Sequence, residues 1–288
     1  LDGTISGTVK YQRYINSNDP ITGNDLISAP LSGEAFNTFI ANNPNILSNP
    51  SGPQVLFGGF DNNNSSSPFE LWSDTDTTPL VAGKGYRSGI TSGASSNLVT
   101  FEGTVNKSLV EVAISQGSVS KLNLIGNPFP SYLDAQLFLF QNSSLLDPSA
   151  SVIYGYNDST NATSAGYYTI ISALVNTDLN IAPGQGFFIA SNIAGGDIAF
   201  TTSAPDMRLT SGGDDFIVGR NLNGITNLKL NLTGSSGNFV TDIFFTEFSS
   251  QGLDPGYDAS LLGREAPAFS VYSLLVQDDT GIPFAIQA

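Results

Sequence analysis

The chain has 288 residues, 40% of them hydrophobic, enough for two or three domains with real cores. Twenty-five acidic against ten basic side chains leave a net charge of −15, which repels phosphate backbones and argues against nucleic acid as a partner. Cysteine and histidine are absent, which excludes disulfides, thiol nucleophiles, a Ser-His-Asp triad and the usual structural zinc sites.

Only 12% of the residues are charged, about half the usual share. Asn, Ser, Thr and Gly take over the task of keeping loops hydrated. No apolar run approaches the ~18 residues that a bilayer span needs, so no transmembrane segment is expected. The chain starts at Leu1 without a signal peptide, as expected of a processed product or a fragment.

In chain order, GTVKYQRYI (7–15), DLISAPL (25–31), QVLFGGF (54–60), FELW (69–72) and KGYRSGI (84–90) read as short strands. They are rich in β-branched and aromatic residues and bounded by turn formers. GEAFNTFIANN (33–43) has apolar residues at helical spacing and predicts one short helix. The same succession follows in KLNLIGNP (121–128), a helix in YLDAQLFLFQN (132–142), then SVIYGYN, GYYTII, QGFFIAS and DIAFT up to residue 201.

The succession is an internal repeat. ISGTV at 5 matches FEGTV at 101, DLISAPL at 25 matches NLIGNPF at 123, and VLFGGFDNNNSSS at 55 matches VIYGYNDSTNATS at 152. LVAGKGYRSG at 80 matches IAPGQGFFIA at 181, and LVTFEG at 98 matches DIAFTT at 197. The offsets are 96, 98, 97, 101 and 99 residues, so two copies of one module meet near residue 100. The turn Gly126-Asn127-Pro128-Phe129-Pro130 and the Gly83-Lys84-Gly85 and Gly184-Gln185-Gly186 turns are read as corners, because they lack the setting of a phosphate loop. Adjacent aromatics at Tyr167-Tyr168 and Phe187-Phe188 point to opposite strand faces, so one of each pair must face outward or pack on a neighbouring module.

From about Pro205 the pattern changes, with strands expected at 225–233, 239–248, 268–277 and 282–287. This is half a sandwich, either truncated or completed by a strand of another chain. The fold class is therefore all-β: two tandem homologous β-sandwich-like modules, 1–100 and 101–204, and a third, incomplete β-sandwich domain at 205–288.

GTVKYQRYI, LNLIGNPFPSYLDA, IAPGQGFFIAS with DIAFT, and GLDPGYDASLLG followed by VYSLL and FAIQA resemble the β-rich regions of large secreted and cell-surface Bacteroidota proteins, gliding-adhesin-like and similar multi-domain proteins. That resemblance covers nearly the whole chain. It implies export by the type IX secretion system, an extracellular or cell-surface location, and a third module that continues beyond FAIQ. It also implies O-glycosylation of Asp-Ser/Thr motifs, which Asp76-Thr77-Thr78 and Asp158-Ser159-Thr160 fit, at Thr77 and Ser159.

No cofactor is expected; calcium is the one ion left possible, because it needs only oxygen donors. Candidate pairs are Asp74 with Asp76, Asp214 with Asp215, and above all Asp254 with Asp258, which the turn Asp254-Pro-Gly-Tyr-Asp258 brings together. The competing reading is that turn aspartates cap backbone N–H groups. Trp72 is the one Trp available as a glycan platform, but it falls where Ile170 lies in the second copy, a core strand position. A glycosidase would need two carboxylates in one cleft, and the acidic residues sit instead in scattered turns.

The resulting expectation is a non-catalytic extracellular structural or adhesive surface protein that assembles, through other copies of itself or other surface proteins, into a filament or larger complex. The alternative is a glycan-binding accessory region of a larger secreted enzyme.

Overall fold

The structure, a computed structural model, describes residues 5–15, 17–18, 24–157, 167–175, 177–203, 205–210, 212, 226–235, 237–246 and 249–288. It is all-β, with many short strands in separate, mainly antiparallel sheets and two α-helices among the described residues.

In the first repeat, alternation along Leu98–Val105 buries Val99 and Phe101 and leaves Thr100 and Glu102 nearer solvent. This strand pairs with Val9–Tyr14 on one flank and Leu31–Ser32 on the other. A second layer pairs Asp25–Ser28 and Phe57–Gly58 on either side of Gly85–Ser88. Between the layers lies a core of Ile15, Ile27, Phe39, Phe57, Tyr86 and Phe101, closed by α1 (Phe36–Asn42).

The second repeat uses the same registers. Tyr11 faces Phe101 as Val110 faces Phe200, and Leu26 faces Arg87 as Leu124 faces Phe188. Its helix α2 (Ala135–Asn142) buries Ala135, Phe138, Leu139 and Asn142, one face at spacings of three and four. The Asp134 carboxylate caps it by accepting from Leu137 N–H at 2.9 Å. One polar device recurs at an offset of 99 residues. Asn43 donates to the Phe39 and Thr100 carbonyls at 2.8 Å and accepts from Thr100 N–H at 2.7 Å. Asn142 does the same with Phe138, Ala199 and Ala199 N–H at 3.0, 3.1 and 2.9 Å. In both repeats an amide at the helix end clamps the middle of the outer strand.

The repeats face each other across a pseudo-twofold axis. Ser28 N–H donates to the Gly184 carbonyl at 2.8 Å, and its counterpart Gly126 N–H donates to the Gly83 carbonyl at 2.9 Å. Close approach requires glycine here: a Cβ on Gly186 would lie 2.7 Å from Ile27 N, and one on Gly126 2.4 Å from the Ser28 Cβ. Asn127, fully buried, donates to the Ser131, Ile181 and Ala182 carbonyls and accepts from Phe129 N–H. The Gly-Asn-Pro-Phe-Pro segment is thus a locked corner.

The third sheet runs in the order Thr226–Gly234, Gly237–Phe245, Phe284–Gln287, Ala259–Ser260. Its inner face joins a core shared by all three parts: Leu26 from the first repeat, Leu124, Tyr154 and Phe188 from the second, and Phe244 and Ile286 from the third. Phe187 points the other way, against Phe138 at 5.5 Å, while Phe188 meets Phe60 of the first repeat at 4.9 Å. Phe188 of the doublet therefore packs between units, as strand alternation requires, while Phe187 fills the second repeat's own core. The side chains of Tyr167 and Tyr168 lie outside the described residues.

Three expected boundaries differ. The chain passes residue 100 in mid-strand, so FEGTV closes the first repeat rather than opening the second, whose first strand is Val110–Ile114. A short apolar-polar alternation recurs in several strands, and that similarity misaligned the pair. The second repeat also extends past 204, because Arg208–Leu209 pairs with Tyr132–Asp134 and Met207 lies in its core. Finally, 268–277 forms no strand. Both flanks of Phe284–Gln287 are taken at Ile286, by Asp242 and Ala259, so Ser273 makes a single bridge to Phe284.

Candidate functional site

Two features stand out, and both belong to the third sheet. The first is its outer edge. Thr226–Gly234 pairs over nine residues with Gly237–Phe245 and has no neighbour on its other flank among the described residues. Leu228, Leu230 and Leu232 share a face with Ile243, Thr241 and Phe239, their cross-strand partners. Leu228 and Leu230 remain 46% and 40% exposed, and Phe245 on the same face 61%. The opposite face, which carries Phe244 into the shared core, is polar at its outer strand, with Lys229 3.5 Å from Asp242 and Asn227 donating to the same carboxylate. The opposite edge, Ala259–Ser260, is two residues long and is covered by the second repeat, where Tyr154 Oη donates to the Ser260 carbonyl at 3.0 Å.

The second feature is a cavity of about 280 Å³ at that covered junction. The segment 116–122 forms one wall and the turn Ser260–Arg264 another, with Tyr154 between them. Lys121 and Arg264 both reach the buried carboxylate of Asp147, Arg264 Nη1 at 3.3 Å and Lys121 more closely. Burial opposes ionisation of Asp147, but hydrogen bonds from Lys121 and Ser149 outweigh it and hold the carboxyl below the usual range. Burial pushes the Tyr154 phenol up to about 12, so it stays neutral. Two cations thus share one anion on a wall whose lining residues include no carboxylate.

The residues expected from sequence are placed as follows. Asp258 is fully buried and its two oxygens accept from Asp254 N–H and Ala288 N–H, each at 2.7 Å. Burial pushes its carboxyl up. Asp254 accepts from Ser250 N–H at 2.6 Å and from the Ser250 hydroxyl at 3.1 Å. The pair is near in space, yet each carboxylate is engaged by protein donors, the geometry of a turn clamp. Among the described residues, no group of three or more acidic side chains is placed to hold a metal.

Trp72 is half-buried, its ring 5.0 Å from Phe36, 5.5 Å from Tyr86 and 5.6 Å from Phe57, and its Nε1–H donates to Glu70 at 2.8 Å. It completes the first core. Asp76 accepts from Thr78 N–H and the Thr78 hydroxyl, which lowers its pKa and leaves Thr77 exposed at the loop surface. Asp74 is exposed. Ser159, Asp214 and Asp215 lie outside the described residues.

Sequence reading missed the trio Lys121, Asp147 and Arg264. Separations of 26 and 117 residues leave no local spacing to detect, and the one available signal was the scarcity of basic residues. No helix among the described residues is long and apolar enough to cross a membrane. No curated protein and no solved structure matches the chain. One family profile matches residues 4–288, and the chain accordingly belongs to the family described as domain of unknown function DUF8693.

Proposed function

We propose that the protein is a non-catalytic extracellular structural or adhesive surface component that pairs with another copy of itself. The observation that carries this reading is the open edge Thr226–Gly234. A long unpaired strand with exposed leucines is a template for another strand, and proteins that do not use such an edge cover or charge it. Here the other edge of the same sheet is covered, and this one has no neighbour among the described residues.

Charge favours a second copy as the occupant. Two chains of −15 repel each other, but residues 226–234 carry no acid and a single Lys. An antiparallel pairing centred on Leu230 sets Leu228 against Leu232 and Lys229 against Asn231. Like faces then meet and no like charges oppose. Two four-stranded sheets would merge into one, a closed twofold contact rather than an open fibre. The shared core supports rigid display, because it joins residues of all three parts. The resemblance to Bacteroidota surface proteins supports the extracellular setting.

Native mass spectrometry of the protein at tens of micromolar tests this, with Leu228→Lys/Leu230→Lys as the comparison. The expected result is a dimer for the parent and a monomer of unchanged circular dichroism for the variant. A parent that stays monomeric, or a variant that still dimerises, overturns pairing through this edge.

A further inference from the structure

The junction cavity carries a different inference. In a chain with ten basic residues, Lys10, Arg208 and Lys229 each face a carboxylate of their own, Glu102, Asp206 and Asp242. Lys121 and Arg264 instead share Asp147, and their side chains keep 32% and 30% of their exposure. The cavity wall therefore has a surplus positive charge on a strongly negative molecule. Low-dielectric walls strengthen such a charge towards an anion.

The backbone at Arg264 is a second, independent observation. Its φ is 61°, and Gly263 before it has φ 79°. Among the described residues, Asp278 is the other non-glycine with positive φ. A long side chain held in the left-handed region is strained, and such strain recurs at ligand clamps. If Arg264 served only as a link in the chain, glycine would serve better there, as it does at 263.

Size and lining limit the ligand. A cavity of about 280 Å³ holds the equivalent of roughly nine waters, at about 30 Å³ each, which suits one sugar ring and not a chain of them. Ser118, Ser120, Ser260 and Tyr154 line it beside the apolar Val119 and Leu261, with Tyr154 Oη donating to the Ser260 carbonyl and Ser120 Oγ accepting from Leu122 N–H. Hydroxyl partners and small apolar faces match a pyranose ring, and the two cations match one acidic substituent.

We propose that this cavity binds a single sugar unit carrying one carboxylate or sulfate, with Arg264 and Lys121 holding the anionic group. The inference goes beyond the assembly reading and does not use it, since pairing through Thr226–Gly234 is read by mass and this site by ligand titration. Isothermal titration of the full chain at low salt with glucuronate, glucose and inorganic sulfate tests it. Glucuronate should bind at least tenfold more tightly than either glucose or sulfate.

Arg264→Gly should weaken glucuronate at least tenfold while the melting temperature holds, because glycine suits the left-handed backbone. Lys121→Gln, which leaves that turn untouched, should weaken it in the same direction. Glucose binding as well as glucuronate, or Arg264→Gly binding as the parent does, overturns the site. Sulfate binding as tightly as glucuronate overturns the assignment to a sugar.

Discussion

Arg87 and Phe188 occupy the same position in the two repeats, each opposite a leucine, Leu26 and Leu124, on the outward face of the inner layer. In the second repeat Phe188 enters the core shared with Phe244 and Ile286 of the third sheet. In the first repeat the Arg87 guanidinium lies 4.5 Å over the Phe69 ring, a cation beside the same core that its neighbour Leu26 enters. One architecture, duplicated with its registers intact, thus differs in what it can carry. The outward residue of a single strand sets whether that position fills the shared core with an aromatic ring or borders it with a cation.

Exchanging these residues breaks the comparison most severely. Phe188→Arg buries an unpaired charge under the third sheet and removes an aromatic ring, at an expected cost of about 4–5 kcal/mol. Urea unfolding measures that loss, and hydrogen exchange should find protection lost first in Phe284–Gln287. An apolar change at the matching position, Arg87→Leu, trades the cation–π contact for apolar area and should stay within about 1 kcal/mol of the parent. Equal costs at the two positions would show that the outward faces are interchangeable.

The asparagine clamps sharpen the comparison where the repeats agree. Asn43→Ala and Asn142→Ala each remove three hydrogen bonds and strand buried backbone groups on a helix end and a strand. Each should cost about 2–4 kcal/mol, and the two should match within about 1 kcal/mol if the clamp is one device used twice. Denaturant midpoints of both variants, measured side by side, decide this.

How much of this was legible depends on range. The duplication was legible because strands, corners and helices recur at nearly constant offset, and the Phe187-Phe188 doublet announced an inter-unit contact through strand alternation alone. The Asn clamps were within reach too, since a polar residue recurs 99 positions apart at the end of an apolar helix. FEGTV misled because five residues of alternation fit any strand, and only cross-strand register separates the last strand of one repeat from the first of the next. The segment 268–277 has strand-like composition, yet pairing needs a free neighbour, and Phe284–Gln287 had none to offer beyond Phe284. The cation pair at the junction cavity depends on how the second repeat meets the third sheet, information that no local window contains.

The smallest expected effect falls where the repeats differ in a buried charge. Glu34 is buried beside the first core, and its Oε2 accepts from Glu102 N–H at 2.9 Å. Ninety-nine residues on stands Leu133, fully buried in the second core. Burial, reinforced by the nearby Glu102 carboxylate, pushes the Glu34 pKa from 4.5 up to about 7, against the opposing pull of its hydrogen bonds and Lys10. The folded state therefore holds a proton that the unfolded state releases between those two values. This contribution to stability is fully present below pH 4.5 and is lost as pH rises through 7. Solvent near Lys10 and Glu102 screens part of the effect, leaving about 1–2 kcal/mol. Glu34→Gln keeps the shape and removes the titration, so the stability difference between parent and variant should change with pH across 5–7.5 and level off above. A difference that stays flat through that window would mean the carboxyl titrates as though exposed, and the first repeat would then tolerate its buried charge as easily as the second tolerates its leucine.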